Sequence, residues 1–134
     1  MKHYLLVYGC TLLIMVILDM LWLGVVAKEF YRSRLGEMLE FRMVPGIIFY
    51  LLYAVGIVVF VNGNIESSNM WQMLFLYGAL FGLFTYSTYD LTNLATLKFW
   101  TLDLALTDIA WGMAVTGISA STGALLARTI ERIL

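Results

Sequence analysis

Three aspartates stand inside or at the edge of long stretches of this sequence that otherwise carry no charge. They are Asp19, Asp90 and Asp108. An ionisable side chain inside a membrane costs from about 2.5 kcal/mol upward, and it normally faces a bundle interior or a water-filled cavity. Carboxyl groups held there can act as acid and base on a lipid headgroup, coordinate a hard cation, or bind a proton or cation in transit. The residue types alone leave all three chemistries open.

Aromatic and amide side chains accompany these carboxyl groups at helical spacing. Asp19-x-x-Trp22 and Asp108-x-x-Trp111 repeat one short string, and a residue at i+3 lies on the same face of a helix. We therefore expect each of these two helices to offer a carboxyl group and an indole N–H together. A third stretch has one helical face of small and polar residues, namely Gly78, Gly82, Tyr86, Asp90 and Asn93.

We expect the aspartates to converge in one ligand-binding pocket with aromatic walls. Its predicted members are Asp19, Trp22, Tyr86, Asp90, Asn93, Asp108 and Trp111. No motif indicates a cofactor. A set of carboxylate and amide oxygens could nevertheless hold Mg²⁺ or Ca²⁺, because hard cations prefer oxygen ligands.

A structural role is the main alternative for the same aspartates. Asp90 can simply end a helix, and Asp108 can lie near a helix N-terminus, where negative charge is favourable. Asp19 can pair with a long basic side chain that reaches into the membrane from its edge. The candidates for that pairing are Arg32, Arg42 and Lys98. The aromatic residues can likewise form belts at the membrane interface.

Three glycines are candidates for helix packing. Gly78-x-x-x-Gly82 is a spacing typical of close helix contacts in membranes. Gly112 heads a stripe of small residues beneath Asp108. Such faces could pack within one chain or across a homodimer.

Several other chemistries are excluded by residue counts and positions. Cys10 is the only cysteine, so neither a disulfide nor dithiol chemistry is available. His3 is the only histidine and lies far from the aspartates, which excludes a histidine-containing zinc or haem site there and a serine–histidine nucleophile. The net charge is −1 and no basic stripe is present, so nucleic acid is not an expected partner.

The elements that must position these residues are membrane helices. Of the 134 residues, 62% are hydrophobic and 13% are charged, whereas soluble domains carry about 25% charged residues. A span needs roughly 20 apolar residues, and four stretches qualify: about 4–27, 44–62, 70–90 and 104–127. They are continuously apolar, unlike barrel strands, which alternate. The predicted fold is a single all-α domain, an antiparallel four-helix bundle in the lipid bilayer.

Chain direction places all three aspartates in the same leaflet. The first and third predicted spans end, and the fourth begins, at one membrane face. That face also receives five basic residues, Lys28, Arg32, Arg34, Arg42 and Lys98, against Lys2, Arg128 and Arg132 at the other. Cytoplasmic loops carry excess Lys and Arg, so we expect the aspartates on the cytoplasmic side and both termini outside.

Two predictions concern the connections between spans. Within residues 28–42, apolar and basic residues recur at helical spacing, which favours a short interfacial helix interrupted at Gly36. Asp103 directly precedes the fourth span and is a good candidate for its N-cap.

Three strings of this sequence resemble a known family. They are Leu18–Gly24 (LDMLWLG), Thr85–Leu97 (TYSTYDLTNLATL) and Thr107–Gly112 (TDIAWG). The chain is similar over nearly its whole length to a group of small bacterial membrane proteins catalogued as domain of unknown function 2177. The resemblance implies four helices and a bacterial inner-membrane location. It implies no activity and no functional residues.

Three functions are consistent with these observations. The first is binding or transport of a cation or small ligand in an acidic pocket. The second is a membrane-embedded enzyme acting on a lipid, with aspartates as acid and base. The third is a structural or interaction subunit. Four helices form a narrow bundle, so a transporter would have to dimerise.

Overall fold

The computed structural model describes residues 1–64 and 70–134, and every regular element in these ranges is helical. Five α-helices follow along the described chain: α1 (Lys2–Leu21), α2 (Lys28–Leu35), α3 (Met43–Gly56), α4 (Met70–Thr96) and α5 (Leu102–Ile133). Two of them continue as π-helical turns, α1 over Trp22–Val26 and α3 over Ile57–Val61. Short 3₁₀ turns occupy Gly36–Met38 and Asn62–Asn64. The predicted all-helical class is confirmed.

Three helical segments are long and apolar enough to cross a membrane. They are Lys2–Val26, Met43–Val61 and Leu102–Ile133. Helix α4 contains the remaining predicted span and is 27 residues long, but it is not among the three. The described residues therefore form three helices that are candidates for membrane spans by length and composition.

Glycines bring α4 and α5 into backbone contact. A Cβ atom added to Gly78 would lie 2.9 Å from the Cα of Gly117, and one added to Gly82 would overlap the carbonyl of Gly112. Because rising numbers on α4 meet falling numbers on α5, the two helices run antiparallel. Helices pack this closely only where side chains are missing from the contact.

Helix α5 also packs along α1, again in the opposite direction. Its Gly123 lies against the backbone of Thr11, and near the termini Val7 and Cys10 of α1 pack with Ala127. At the other end of α1, Asp19 reaches Trp111. Since α5 contacts both α1 and α4, it is the central helix and buries a stripe of small residues along most of its length.

The buried Tyr53 links three helices through its hydroxyl group. From α3 it is 2.9 Å from Thr85 Oγ1 on α4 and 2.8 Å from Thr116 Oγ1 on α5. In an apolar interior each of these hydroxyls needs a partner. This three-way contact fixes α3 against the α4–α5 pair, next to the region of the aspartates.

In the connections between the spans, one prediction from the sequence agrees with the structure and one is corrected. Helix α2 ends at Gly36, as predicted, because φ there is +51°, a conformation that favours glycine. The N-cap of α5, however, is Thr101, whose hydroxyl accepts the N–H of Leu104. The predicted cap, Asp103, lies within the first turn and accepts the same N–H at 2.8 Å. A carboxylate stabilises either position, which is why the sequence did not separate them.

Candidate functional site

Asp19 is a buried carboxyl group that two aromatic donors hold in place. It lies on the last turns of α1 and is 6% exposed. The hydroxyl of Tyr50, from α3, donates to Oδ2 at 2.6 Å, and the indole of Trp111, from α5, donates to Oδ1 at 2.7 Å. A carboxylate can accept about four hydrogen bonds, so lone pairs on both oxygens stay available.

Asp108 is held by a chain of donors from the other end of the cluster. Tyr31, on α2, donates to Asp108 Oδ1 at 2.7 Å, and the Trp22 indole donates to the Tyr31 hydroxyl at 3.2 Å. Burial and the nearby Asp108 carboxylate raise the pKa of Tyr31 above its usual range. The phenol therefore keeps its proton and stays a donor. Helix α2 thus contributes a side chain to the site.

The two tryptophans stack on each other, and the hydrogen-bond partner of each indole comes from a different helix. The rings of Trp22 and Trp111 are 4.4 Å apart at an angle of 4°. Trp111 donates to Asp19 on the opposite helix, and Trp22 reaches Asp108 only through Tyr31. Neither indole donates to the carboxyl group three residues before it on its own helix. Each indole donates to a residue of another helix: Trp111 to Asp19 of α1, and Trp22 to Tyr31 of α2.

A cavity of about 1100 Å³ lies between the four long helices at this level. Five predicted site residues line it: Asp19, Trp22, Tyr86, Asp108 and Trp111. Most of the remaining wall is apolar, from residues such as Leu12, Val16, Met20 and Ile47. Further polar groups come from Arg42, Tyr50, Tyr53, Thr85 and Tyr89. The two carboxyl groups therefore open into a space that is mainly hydrophobic.

The other two predicted site residues are outside this wall. Asp90 is fully buried, at 0% exposed, on the face of α4 toward α5. Its nearest polar neighbours are the Asp108 carboxyl and the Trp100 indole. Asn93 is half-buried one turn further along α4. Asp108 therefore lies between the cavity on one side and Asp90 on the other.

The basic residues near this end of the bundle pair elsewhere. Arg42 contacts Glu40 at 3.1 Å, Arg32 contacts Glu29 at 3.9 Å, and Lys98 lies over the Phe99 ring. Within residues 1–64 and 70–134, none of the ion pairs involves Asp19, Asp90 or Asp108. The suggested pairing of Asp19 with Arg32, Arg42 or Lys98 is not found there.

The described residues also contain no group of three or more His, Cys, Asp or Glu side chains that could hold a metal ion. Asp19 and Asp108 face the cavity with aromatic donors between them, and donors compete with a cation for the same oxygens. Mg²⁺ or Ca²⁺ at this site stays a prediction from residue type.

Sequence reasoning missed two of the residues that hold the carboxyl groups. Tyr31 lies on the helical stripe noted within residues 28–42, and that stripe was the available signal. Tyr50 stands in an uninterrupted apolar span, and nothing in its neighbourhood distinguishes it from an interface tyrosine. Its role depends on how α3 packs against α1, which a single sequence does not encode locally.

Comparison with known proteins gives one match. The model of a family described as predicted membrane protein (DUF2177) matches residues 4–125. No curated protein and no solved structure matches the chain. The match covers the residues that line the cavity and all three aspartates, and it ends within α5. The resemblance noted from the sequence is confirmed, and the chain belongs to the DUF2177 family of predicted membrane proteins.

Proposed function

We propose that this protein binds a small amphiphile with an apolar body and a cationic head group. The observation that supports this most is the composition of the cavity. Its wall is mainly hydrophobic, but two carboxyl groups, Asp19 and Asp108, are placed at its polar end. Small-molecule sites commonly combine an apolar wall with a few placed polar groups.

The volume suits a molecule larger than an ion. A cavity of about 1100 Å³ is at the upper end of the range of roughly 300–1,000 Å³ typical of ligand pockets. A bare cation would leave most of that apolar wall without contacts. An alkyl chain or ring system would cover it, and burial of its surface would supply roughly 25 cal/mol per Å².

Charge complementarity favours a positive head group. The carboxyl groups of Asp19 and Asp108 have no Lys, Arg or His partner within the part of the chain that the structure describes. Arg42 also lines the cavity, but it pairs with Glu40. An ammonium group would supply the missing charge, and the stacked Trp22 and Trp111 rings beside it favour a cation further.

The position of the opening supports entry from the bilayer. Four apolar residues at the cavity rim are half-exposed or more: Met20, Phe41, Met43 and Ile47, at 51–83%. They belong to α1, to α3 and to the segment just before α3. In a membrane we expect these exposed apolar side chains to face lipid chains, so a membrane-dissolved ligand would reach the carboxyl groups without crossing water.

The proposal includes an arrangement of four antiparallel spans in a bacterial inner membrane, with α4 as the remaining span. Its 27 residues measure about 40 Å at 1.5 Å per residue, and it packs against α5 along its length. The termini would then lie outside and α2 in the cytoplasm. Cysteine labelling tests this on a Cys10→Ser background. Ser33→Cys and Thr129→Cys should react from opposite faces of sealed vesicles, and reaction of both from one face would contradict it.

Tryptophan fluorescence tests ligand binding. In a Trp71→Phe/Trp100→Phe background the signal comes from Trp22 and Trp111 at the cavity. A brominated alkylamine should quench it in lipid nanodiscs at lower concentration than a brominated alkyl sulfate of equal length. Asp19→Asn and Asp108→Asn should each remove this preference. Asp103→Asn is the matched control, because that carboxylate is exposed and pairs with Arg34 at 2.6 Å.

Three results would contradict the proposal in different ways. Equal quenching by amine and sulfate would indicate general lipid contact without recognition by the carboxyl groups. Stabilisation by Mg²⁺ or Ca²⁺, abolished by Asp19→Asn, would favour a cation site instead. If no amphiphile quenches and the variants only lose stability, the aspartates have the structural role.

A further inference from the structure

Asp90 is a buried acidic side chain without a donor. It is 0% exposed, and neither carboxyl oxygen accepts a hydrogen bond from any residue in 1–64 or 70–134. A buried acceptor that is left without a hydrogen bond is destabilising, and more so if it is charged. Asp19 and Asp108, by contrast, each accept hydrogen bonds from aromatic side chains. Asp90 therefore needs another explanation.

The groups around Asp90 are almost all unable to compensate a negative charge. From α5, the carboxyl of Asp108 faces it; from α2 and α4, the neutral phenols of Tyr31 and Tyr89 lie within electrostatic range. The Trp100 indole is nearby, but it too has no hydrogen-bond partner among the described residues. Asp19 lies beyond Asp108 and adds a further negative charge. None of the ion pairs of the described chain reaches this group.

Two adjacent ionised carboxylates are both acceptors and repel each other. Neither can satisfy the other, and in a low-dielectric interior the repulsion is large. One added proton changes this, because a protonated carboxyl has an O–H donor. Carboxyl pairs at other sites share a single proton for this reason.

We propose that Asp90 and Asp108 form a proton-binding pair, in which Asp90 carries the proton and donates a hydrogen bond to the Asp108 carboxylate. Asp108 stays ionised and accepts from both Asp90 and Tyr31. On this reading the unpartnered oxygens of Asp90 are the place where an exchangeable proton binds. Asp90 itself does not line the cavity, whereas its partner Asp108 does.

The pair also gives the cavity a means of coupling to protons, a step that rests on the proposed function. An ammonium head group at Asp108 would compensate the second negative charge when Asp90 loses its proton. Amine binding would then release a proton, and alkaline pH would strengthen amine binding. Proton binding at Asp90 itself requires no ligand.

Infrared spectroscopy of the full chain in nanodiscs, without any added amphiphile, tests the pair. A protonated carboxyl has a C=O stretch separate from that of a carboxylate. We expect one such band at neutral pH, fading as pH rises, and absent in Asp90→Asn. Asp103→Asn, an exposed carboxyl, should leave it unchanged. An Asp108→Asn variant should shift the band, because the acceptor of its hydrogen bond is changed.

Two outcomes would overturn the proposal. One is wild-type protein with no protonated carboxyl at neutral pH, which needs no variant and so is independent of any folding defect. The other is a folded Asp90→Asn protein, checked by helicity, that keeps the band unchanged. If the band behaves as expected but alkylamines do not quench, the proton site stands and only the amphiphile proposal fails.

Discussion

Two regions of the α4–α5 pair differ in the residues that form the contact between the helices. Around Gly78, Gly82 and Gly117 the helices touch backbone to backbone, and added Cβ atoms would meet the neighbouring main chain. A few turns away, at Asp90 and Asp108, the two helices meet through polar side chains, and a cavity lined by several aromatic residues opens beside Asp108. The first region is close-packed through small residues, and the second contains two buried carboxyl groups, Asp19 and Asp90, beside the half-buried Asp108.

The difference shows how a small membrane protein can hold buried charge. In lipid, helices gain little from hydrophobic association, so close packing of small residues supplies much of the attraction. The glycine contact fixes α4 against α5, and Tyr53 adds α3 through two threonine hydroxyls. Because the glycine contact holds the helices together, the region of the aspartates can contain polar groups whose burial in a membrane is unfavourable.

The largest effect is expected where the backbones touch. Gly82→Leu would place a side chain in the position of the Gly112 carbonyl, forcing α4 from α5. Overpacking costs about 1–3 kcal/mol where side chains can adjust, and a backbone neighbour cannot, so we expect severe loss of folded protein. Thermal unfolding in detergent measures this.

Gly9→Leu is the control for that substitution. Nothing lies within 4 Å of a Cβ at Gly9, which is exposed on α1. Its melting temperature should be unchanged or raised, since leucine favours helix more than glycine does. A Gly82→Leu protein as stable as Gly9→Leu would show that the close contact does not organise the bundle.

An intermediate effect is expected at the acidic end. Tyr50→Phe removes the 2.6 Å hydrogen bond to the buried Asp19 carboxyl, and hydrogen bonds to charged groups contribute about 1.5–3 kcal/mol. Tyr8→Phe removes an exposed 3.2 Å bond to the Leu51 carbonyl, and should cost less than about 1 kcal/mol. Equal melting temperatures for the two variants would indicate that Asp19 does not depend on this donor.

The smallest effect is expected at the surface near the same end. Arg34 pairs with Asp103 at 2.6 Å and ties α2 to the start of α5, but both side chains are partly or largely exposed. Exposed ion pairs contribute little. Arg34→Ala should therefore change the melting temperature less than Tyr50→Phe. A larger change would mean that the placement of α2, and with it Tyr31, controls the stability of the whole site.

The sequence predicted the helices better than the contacts of the site. Continuous apolar runs indicated spans, and chain direction alone placed Asp19 and Asp108 in one leaflet, where they now line one cavity. It did not predict that the Trp111 indole would donate a hydrogen bond to Asp19. Which indole meets which carboxyl depends on the rotation of α1 against α5, and helical spacing describes only one helix at a time.

Two further features had no local signal. Tyr50 looks like any aromatic residue of an apolar span, and its function is visible only once α3 lies beside α1. The cavity lies among several helices and is a property of their joint packing. On α4, Gly78 and Gly82 contact α5, and Tyr86 and Tyr89 line the cavity.

The central claim, that the cavity holds a cationic amphiphile, is tested most directly by a high-resolution structure determined in lipid with an alkylamine present. We predict elongated density along the apolar wall, with its head group within about 2.7–3.2 Å of a carboxyl oxygen of Asp19 or Asp108, a normal hydrogen-bond distance. A cavity closed by its own side chains, or one containing only an ion between the carboxyl groups, would contradict the account.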